Sequence, residues 1–379
     1  MELQVVRTIH PVGQGAFYTE TLHRPGMRDD KHVVYDCGVL PFSNRLVEEV
    51  GNFLPKNSTI DILFISHFHA DHVNGLKLLS KSYKIKHVVL PQIDDYEWFY
   101  IIENYLTVGN VDVGIITDVR STFGEATIIQ VAPRVENGEE VVSEESIDLG
   151  GREGIIINGL IPLVINQDFA LWHFVVVNSL LKGDLEALKT AIQDIDYNGR
   201  KVSIDDLHNP GVLDDIRADL QAVYSKVFKG GNEYSMCMLS ELANRKEYKS
   251  YSRFNMRNRV CMECYRSGRD CDGGLYCGDA DFLHCDTLEC LKRRLRGREE
   301  NVGLLQIPHH GSKKNFNIDL LNWLGRIRVS FACFGSPNRY NHPSSDVMGI
   351  AGTYSYTAGV NQFKSNVLTE RIDVEKREG

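Results

Sequence analysis

The stretch Ser66-His67-Phe68-His69-Ala70-Asp71-His72 places three imidazoles and one carboxylate within six residues. With 13 histidines in 379 residues, chance does not account for that density. The cluster follows the apolar run IDILFIS at 60–66 and precedes a segment with a leucine face. It therefore reads as a tight loop between a strand and a helix. Such a loop can aim all four side chains into one cavity. His67 and His69, two residues apart, can grip one ion, and Asp71 with His72 can grip a second. Imidazole and carboxylate suit Zn, Mn or Fe.

Further ligands must come from other strand ends. Leu275-Tyr276-Cys277-Gly278-Asp279 closes an apolar run with a single carboxylate able to bridge two ions. Leu304-Leu305-Gln306-Ile307-Pro308-His309-His310-Gly311-Ser312 closes another with two imidazoles. A two-ion site with a bridging carboxylate holds a hydroxide between its metals at neutral pH. That nucleophile can attack phosphodiesters, β-lactams, thioesters or lactones, so the ligands alone do not select a substrate.

The elements that must carry these residues are legible in outline. Residues 1–180 alternate short Val/Ile-rich runs with turns, as in HVVYDCG, HVVLP and VGIITD. They read as strands, with helices expected from Ser43 to about Val50 and from Val73 to about Ser82. Residues 181–230, with DLEALKTAIQDI and LDDIRADLQAVYSKVF, have helical spacing and read as an insertion. Residues 245–275 read as an Arg-, Lys- and Cys-bearing loop inserted in a second half, 231–379. The strand–helix rhythm then resumes, with TLECLKRRLRGR as a basic helix. Strands in both halves with helices between them predict two sheets packed face to face with helices outside.

At 42% hydrophobic and 25% charged, the composition is that of a globular chain rather than a disordered or fibrous one. The net charge of −9 excludes a duplex-coating protein with a large basic excess. No run of about 18 apolar residues is present, and no secretory leader is visible at the N-terminus. A cytoplasmic location is expected, and nine cysteines there argue against a disulfide framework. Cys261, Cys264 and Cys271 resemble part of a zinc knuckle, with Cys285, Cys290 or His284 as a fourth ligand. Plain thiols on a loop are the alternative, and Cys277 reads as a small buried residue. Arg253, Arg257, Arg259, Arg266 and Arg269, interleaved with Tyr251, Phe254 and Tyr265, suit phosphate and base contact. They suit a solvated loop or a protein interface equally.

The ordered set His-x-His-x-Asp-His, Gly-Asp and His-His-Gly-Ser resembles the metallo-β-lactamase superfamily. More narrowly it resembles the metallo-hydrolase domain of bacterial competence DNA-uptake channels. Val12-Gly13-Gln14-Gly15, Tyr35-Asp36-Cys37-Gly38, Asn232-Glu233-Tyr234-Ser235 and Asn338-Arg339-Tyr340-Asn341-His342-Pro343 resemble that branch's smaller motifs, with Asn341 in place of its glycine. The resemblance implies an αββα sandwich with the site at one edge. It implies two divalent ions, Zn or Mn: His67 and His69 on one, Asp71, His72 and His310 on the other, and Asp279 between them. By similarity to phosphorylcholine esterases, the second histidine of the pair is the ligand and His309 faces the substrate. Asp71, His309 and His342 form the implied catalytic set, and Asp36 orients a histidine ligand. Many superfamily members add one more histidine to the first ion. His87, His173 and His208 intervene here, and His173, in the strand-like ALWHFVVVN, fits best. The activity implied is phosphodiester hydrolysis of nucleic acid or nucleotides, without the membrane channel. A small-molecule esterase, or a scaffold subunit using its insertions as protein interfaces, are the competing readings.

Overall fold

The computed structural model describes residues 1–92, 102, 122–132, 145–150, 155–157, 159, 161–178, 185–227, 235–256, 259–263, 271–283, 287–338 and 340–378. The chain opens with β1 (Leu3–Ile9), β2 (Gly15–His23) and β3 (Lys31–Val39), then α1 (Asn44–Phe53) and β4 (Thr59–Phe64). The short α2 (Ala70–Val73) and α3 (Leu76–Ser82) lead into β5 (Lys84–Pro91). Next come β6 (Thr127–Val131), β7 (Ile147–Asp148), β8 (Ile155–Ile157), β9 (Leu163–Val164) and β10 (Trp172–Val177). A helical segment follows: α4 (Leu185–Gln193), the hairpin β11 (Asp196–Tyr197) and β12 (Arg200–Lys201), α5 (Pro210–Asp215) and α6 (Arg217–Val227). Then come β13 (Cys237–Leu242), β14 (Tyr248–Met256), β15 (Arg259–Glu263), β16 (Gly273–Tyr276) and α7 (Thr287–Arg294). The last elements are β17 (Val302–Gln306), α8 (Ile318–Leu324), β18 (Val329–Cys333), α9 (Ser345–Ala351), β19 (Tyr356–Val360) and β20 (Leu368–Lys376).

Among the described residues the strands form a ten-stranded sheet, β15-β14-β20-β1-β2-β3-β4-β5-β6-β8, and an eight-stranded sheet, β19-β18-β17-β16-β13-β10-β9-β7. β3 to β6 pair in parallel, and β4 is buried on both faces, which is why the stretch Ile62-Leu63-Phe64-Ile65 is continuously apolar rather than alternating. The two sheets meet across one core that includes Tyr18, Phe64, Trp172, Phe174 and Phe331. Helices α1 to α6 contribute to a second cluster on the outer face of the first sheet. Helices α7 to α9 cover the second sheet. The architecture is the expected αββα sandwich, two sheets packed face to face with helices outside. Among the described residues no helix is long and apolar enough to cross a membrane.

A charged cluster pins the sheets together. Arg7, fully buried at an inward position of β1, pairs with Glu20 at 3.0 Å and Glu370 at 2.8 Å. It also donates to the carbonyls of Asp272 at 2.6 Å and Ser240 at 2.7 Å on the opposite sheet. The guanidinium lies against Gly274, where a Cβ would fall 2.9 Å from Cζ. Five donors in a planar fork suit Arg to this shared, bidentate role.

Two expectations are corrected here. Residues 248–256 and 259–263 are not a loop but the antiparallel pair β14 and β15, added to the first sheet through β20. Its inward slots hold Ser250, Ser252 and Phe254. The two serines bond Asp272 at 2.5 Å and Glu370 respectively, so polar residues occupy core positions. The helix expected over 73–82 is broken at Asn74-Gly75, because the Gly75 N–H donates to the Cys37 carbonyl at 2.9 Å instead of continuing the helical ladder. The approach requires glycine, since a Cβ would be 2.7 Å from Cys37 Sγ and 2.8 Å from Leu46.

The described cysteines stand on or beside several elements. Cys261 lies on β15, and Cys271 is buried beside the Glu300 carbonyl. Cys290 is buried on α7, and Cys277 is buried at the end of β16. Among the described residues no cysteine joins a group able to hold a metal. Cys264, His284 and Cys285 lie outside the described residues, as do Arg257, Tyr265, Arg266 and Arg269.

Candidate metal centre

The centre is built where β3, β4, β16, β17 and β18 end and β13 begins. Asp36, fully buried on β3 with φ +56°, is its anchor. Its carboxylate accepts from the Ser66 N–H and Ser66 Oγ, each at 2.7 Å, and from His72 Nδ1 at 2.7 Å. Because Ser66 Oγ gives its proton to Asp36, it accepts from His67 Nδ1 at 2.9 Å. Ser235 Oγ lies 3.1 Å from the same nitrogen and accepts the Asp279 N–H at 2.9 Å. Gly278, at φ +54°, leaves no room for a Cβ, which would be 2.9 Å from Ser235 Oγ. Gln306 accepts the N–H groups of Cys277 and Gly278 at 2.9 and 3.1 Å, which fixes the turn that presents Asp279.

From the second sheet, His309 and His310 both take left-handed backbone, with φ +46° and +52°. His310 Nδ1 donates to the Cys333 carbonyl at 2.8 Å. So His67, His72 and His310 each have Nδ1 tied to a partner, and each turns Nε2 toward a common space. His72 Nε2 is 3.1 Å from Asp279 Oδ1 and His310 Nε2 is 3.1 Å from Asp71 Oδ2. His67 Nε2 and His309 Nε2 are each 3.8 Å from Asp279 Oδ2.

Two groups have the composition and closeness for metal. Asp71, His72, Asp279 and His310 form one, and His67, His69 and Asp279 form the other, with ligand atoms within 4.8 Å of one another. Asp279 belongs to both. The fit is carried by orphaned atoms: His67 Nε2, His72 Nε2 and Asp279 Oδ1 are buried with no aligned hydrogen-bond partner. Buried polar atoms rarely go unpaired, and imidazoles oriented through their second nitrogen are how metal ligands are held.

The charges are strongly coupled. Burial opposes ionisation of Asp279, yet His309, His72 and His310 hold its carboxyl well below the usual range. Burial likewise opposes charge on Asp71, and the hydrogen bond from His310 prevails to lower it. His72 resists burial and is raised well above an ordinary imidazole by Asp279 and Asp36. His310 is raised against burial by Asp279 and Asp71. Burial and the imidazoles of His72 and His69 push His67 well down, and burial takes His69 to about 4.

His309 and His342 stand outside both groups. Their rings are 5.5 Å apart, nearly perpendicular, and His342 Nδ1 is buried without a partner. Burial lowers both, His342 to about 4. His173 is not at the centre. It lies on β10 opposite Glu241, where burial and the Arg298 charge lower it to about 4. His87 bonds the Asp61 carbonyl at 2.9 Å, and His208 ends a turn in the helical segment. Gln306 was not foreseen; its signal is a lone amide closing the apolar run GLLQIP. Ser235 and Ser66 were in view only as motif letters.

Residues 26–157 match the metallo-beta-lactamase superfamily model. The superfamily match contains Asp36 and the whole 66–72 loop, while Asp279, His309 and His310 reach the same centre from beyond it. Among solved structures, that of unliganded yeast PDE1 is similar over 98% of this chain and 99% of that one, at 10% identity and a TM-score of 0.41. No curated protein matches the chain.

Proposed function

We propose that this protein is a metal-dependent hydrolase of phosphodiester bonds, a nuclease or phosphodiesterase. The observation that carries the reading is the pair of buried His/Asp groups sharing Asp279. His67, His69 and Asp279 would hold one divalent ion, and Asp71, His72, His310 and Asp279 the other, with Zn or Mn suited to these donors. Bound there, two such ions supply Lewis acidity toward a phosphoryl oxygen and lower the pKa of a coordinated water. His309, with Nε2 3.8 Å from Asp279 Oδ2, and His342, whose ring lies 5.5 Å from that of His309, serve the substrate rather than the metals. In the metal-free molecule both are neutral near pH 7, because burial depresses them. An arriving phosphodiester anion favours their protonated forms, so they can bind a non-bridging oxygen and give a proton to the leaving oxygen. The ordered small motifs that resemble the competence-channel hydrolases support the same substrate class. Buried free thiols at Cys37, Cys237, Cys271, Cys277, Cys290 and Cys333 suit a reducing cytoplasm.

The test loads purified protein with Zn or Mn, counts bound metal, and assays single- and double-stranded DNA, RNA, cyclic nucleotides and bis(p-nitrophenyl) phosphate. Hydrolysis of a phosphodiester that tracks metal content is expected. Two bound metals with no phosphodiester turnover, alongside cleavage of a β-lactam, thioester or lactone, would overturn the reading.

A further inference from the structure

Four aromatic side chains among the described residues are strongly exposed, and three of them lie on loops around the metal centre: Phe42 at 53%, Tyr340 at 48% and Phe363 at 54%. The fourth, Tyr356, begins β19 at the sheet edge. Phe42 lies on the short loop between β3 and α1. A Cβ on Gly38, near the end of β3 before that loop, would fall 2.6 Å from the His72 nitrogen, so the end of β3 that leads into the loop abuts the ligand loop. Tyr340 lies between β18 and α9, and Phe363 between β19 and β20.

Short polar ties fasten the three loops to one another. Leu40 N–H donates to the Gln14 carbonyl at 2.7 Å. Gln14 Oε1 accepts from Asn338 Nδ2 at 3.2 Å, and Asn338 Oδ1 accepts the Tyr340 N–H at 2.7 Å. Gln362 bonds the backbone of Ser336 in both directions, its oxygen accepting at 2.9 Å. Lys364 reaches Glu48 on α1 at 3.3 Å. From the centre outward, the rings of His309, His342 and Tyr340 follow one another at 5.5 and 6.2 Å.

We propose that Phe42, Tyr340 and Phe363 form a stacking platform for the unpaired bases of single-stranded nucleic acid whose backbone enters the metal centre. The proposal rests on the phosphodiesterase reading and names its substrate class. Exposed rings on separate, mutually tied loops match the way single strands are held, by base stacking that tolerates any sequence. A duplex keeps its bases stacked internally and relies on cationic contacts, whereas this chain carries a net charge of −9. The rings can therefore supply grip that does not depend on a large basic excess.

Fluorescence anisotropy in chelator, where no turnover occurs, tests it with the full chain. The probes are a short labelled single strand, an abasic strand of equal length, and the matching duplex. The wild type should bind the base-bearing strand roughly 5- to 100-fold tighter than the abasic one. Phe42→Ala, Tyr340→Ala and Phe363→Ala should each shrink that ratio, their combination should abolish it, and Tyr340→Trp should preserve it. Thermal melting confirms that each variant is folded. Equal binding of both strands, a ratio untouched by the triple change, preference for the duplex, or no strand binding at all would overturn the platform. In those cases the rings remain a candidate contact for a protein partner. Base-dependent binding without cleavage on adding Zn or Mn sinks the phosphodiester reading and leaves the platform standing. Cleavage without base preference does the reverse.

Discussion

Asp36→Asn isolates the orienting role of a residue that touches no metal position. Asp36 takes left-handed backbone at φ +56°, which Asn tolerates as well as Asp, so the change adds no backbone strain. Asn keeps one oxygen for the Ser66 N–H, but its NH₂ replaces the oxygen that accepts both Ser66 Oγ and His72 Nδ1. The serine hydroxyl can rotate to accept; the imidazole cannot donate to an amide donor. His72 relieves the conflict by shifting its proton to Nε2, the atom that faces Asp279. A protonated Nε2 has no lone pair for a metal. Loss of such an orienting partner typically costs about 10- to 100-fold in metal affinity, or about 1.4–2.8 kcal/mol. Chelator competition with Zn or Mn should show the Asp71/His72/His310 position weakened by that amount. The His67/His69 position should weaken less, since Ser66 Oγ still faces His67 Nδ1. Equal affinity at both positions in wild type and variant, with both folded by thermal melting, would refute the orienting role.

Asp279→Ala should loosen both metals and abolish phosphodiester turnover, as read by metal analysis and bis(p-nitrophenyl) phosphate hydrolysis, because both ligand groups share this carboxylate. His310→Ala should lose metal and activity together, whereas His309→Ala should keep its metals and lose about 10²–10⁴-fold in rate; the opposite pattern would exchange the two roles. His173→Phe should leave metal content unchanged and flatten the acid limb of the stability curve. The folded pKa of about 4 lies below the unfolded value of about 6.5. The neutral imidazole's contribution is therefore fully present above about pH 6.5, and is lost as pH falls toward 4, by up to roughly 3 kcal/mol. Denaturant melts between these pH values measure it. Removing metal should lower the melting temperature: an ion at a hundred times its Kd stabilises the folded state by about 2.7 kcal/mol.

The strand–helix alternation was readable wherever burial is written in apolar letters. The run 62–65 is continuously apolar because β4 is covered on both faces, and DLEALKTAIQDI keeps helical spacing through α4. It was unreadable where inward slots hold polar groups. In β20 the inward residues are Leu368, Glu370, Ile372 and Val374. A glutamate in that series hides the period until Arg7 is seen beside it, 363 positions away. Ser250 and Ser252 obscure β14 in the same way, and the surrounding arginines and cysteines made a strand pair look like a loop. No local pattern announces that a distant arginine will neutralise a core position.

The metal groups were legible because each ligand stands just past a strand end, in a short motif whose letters are themselves the chemistry. The strand direction needed to exclude His173 was not. ALWHFVVVN says strand but not which end meets the centre. β10 runs antiparallel to β13, pairing Val177 with Cys237 and His173 with Glu241. Ser235, which holds His67 and Asp279, precedes β13. The centre is thus at the Val177 end, and at about 3.3 Å per residue His173 is set back along the strand by more than any side chain can reach. The same topology explains why Ser66, Ser235 and Gln306 escaped a reading of motifs and why the orienting role of Asp36 came only through the resemblance: they act on groups from other strands, across 30 residues for Asp36 and Ser66 and 168 for Ser235 and His67. The ligands themselves come from both sheets, with Asp71 and His310 in contact across 239 residues. A metal held there would tie the two sheets together at their open edge, so the polar residues that orient its ligands complete the fold as well as the site.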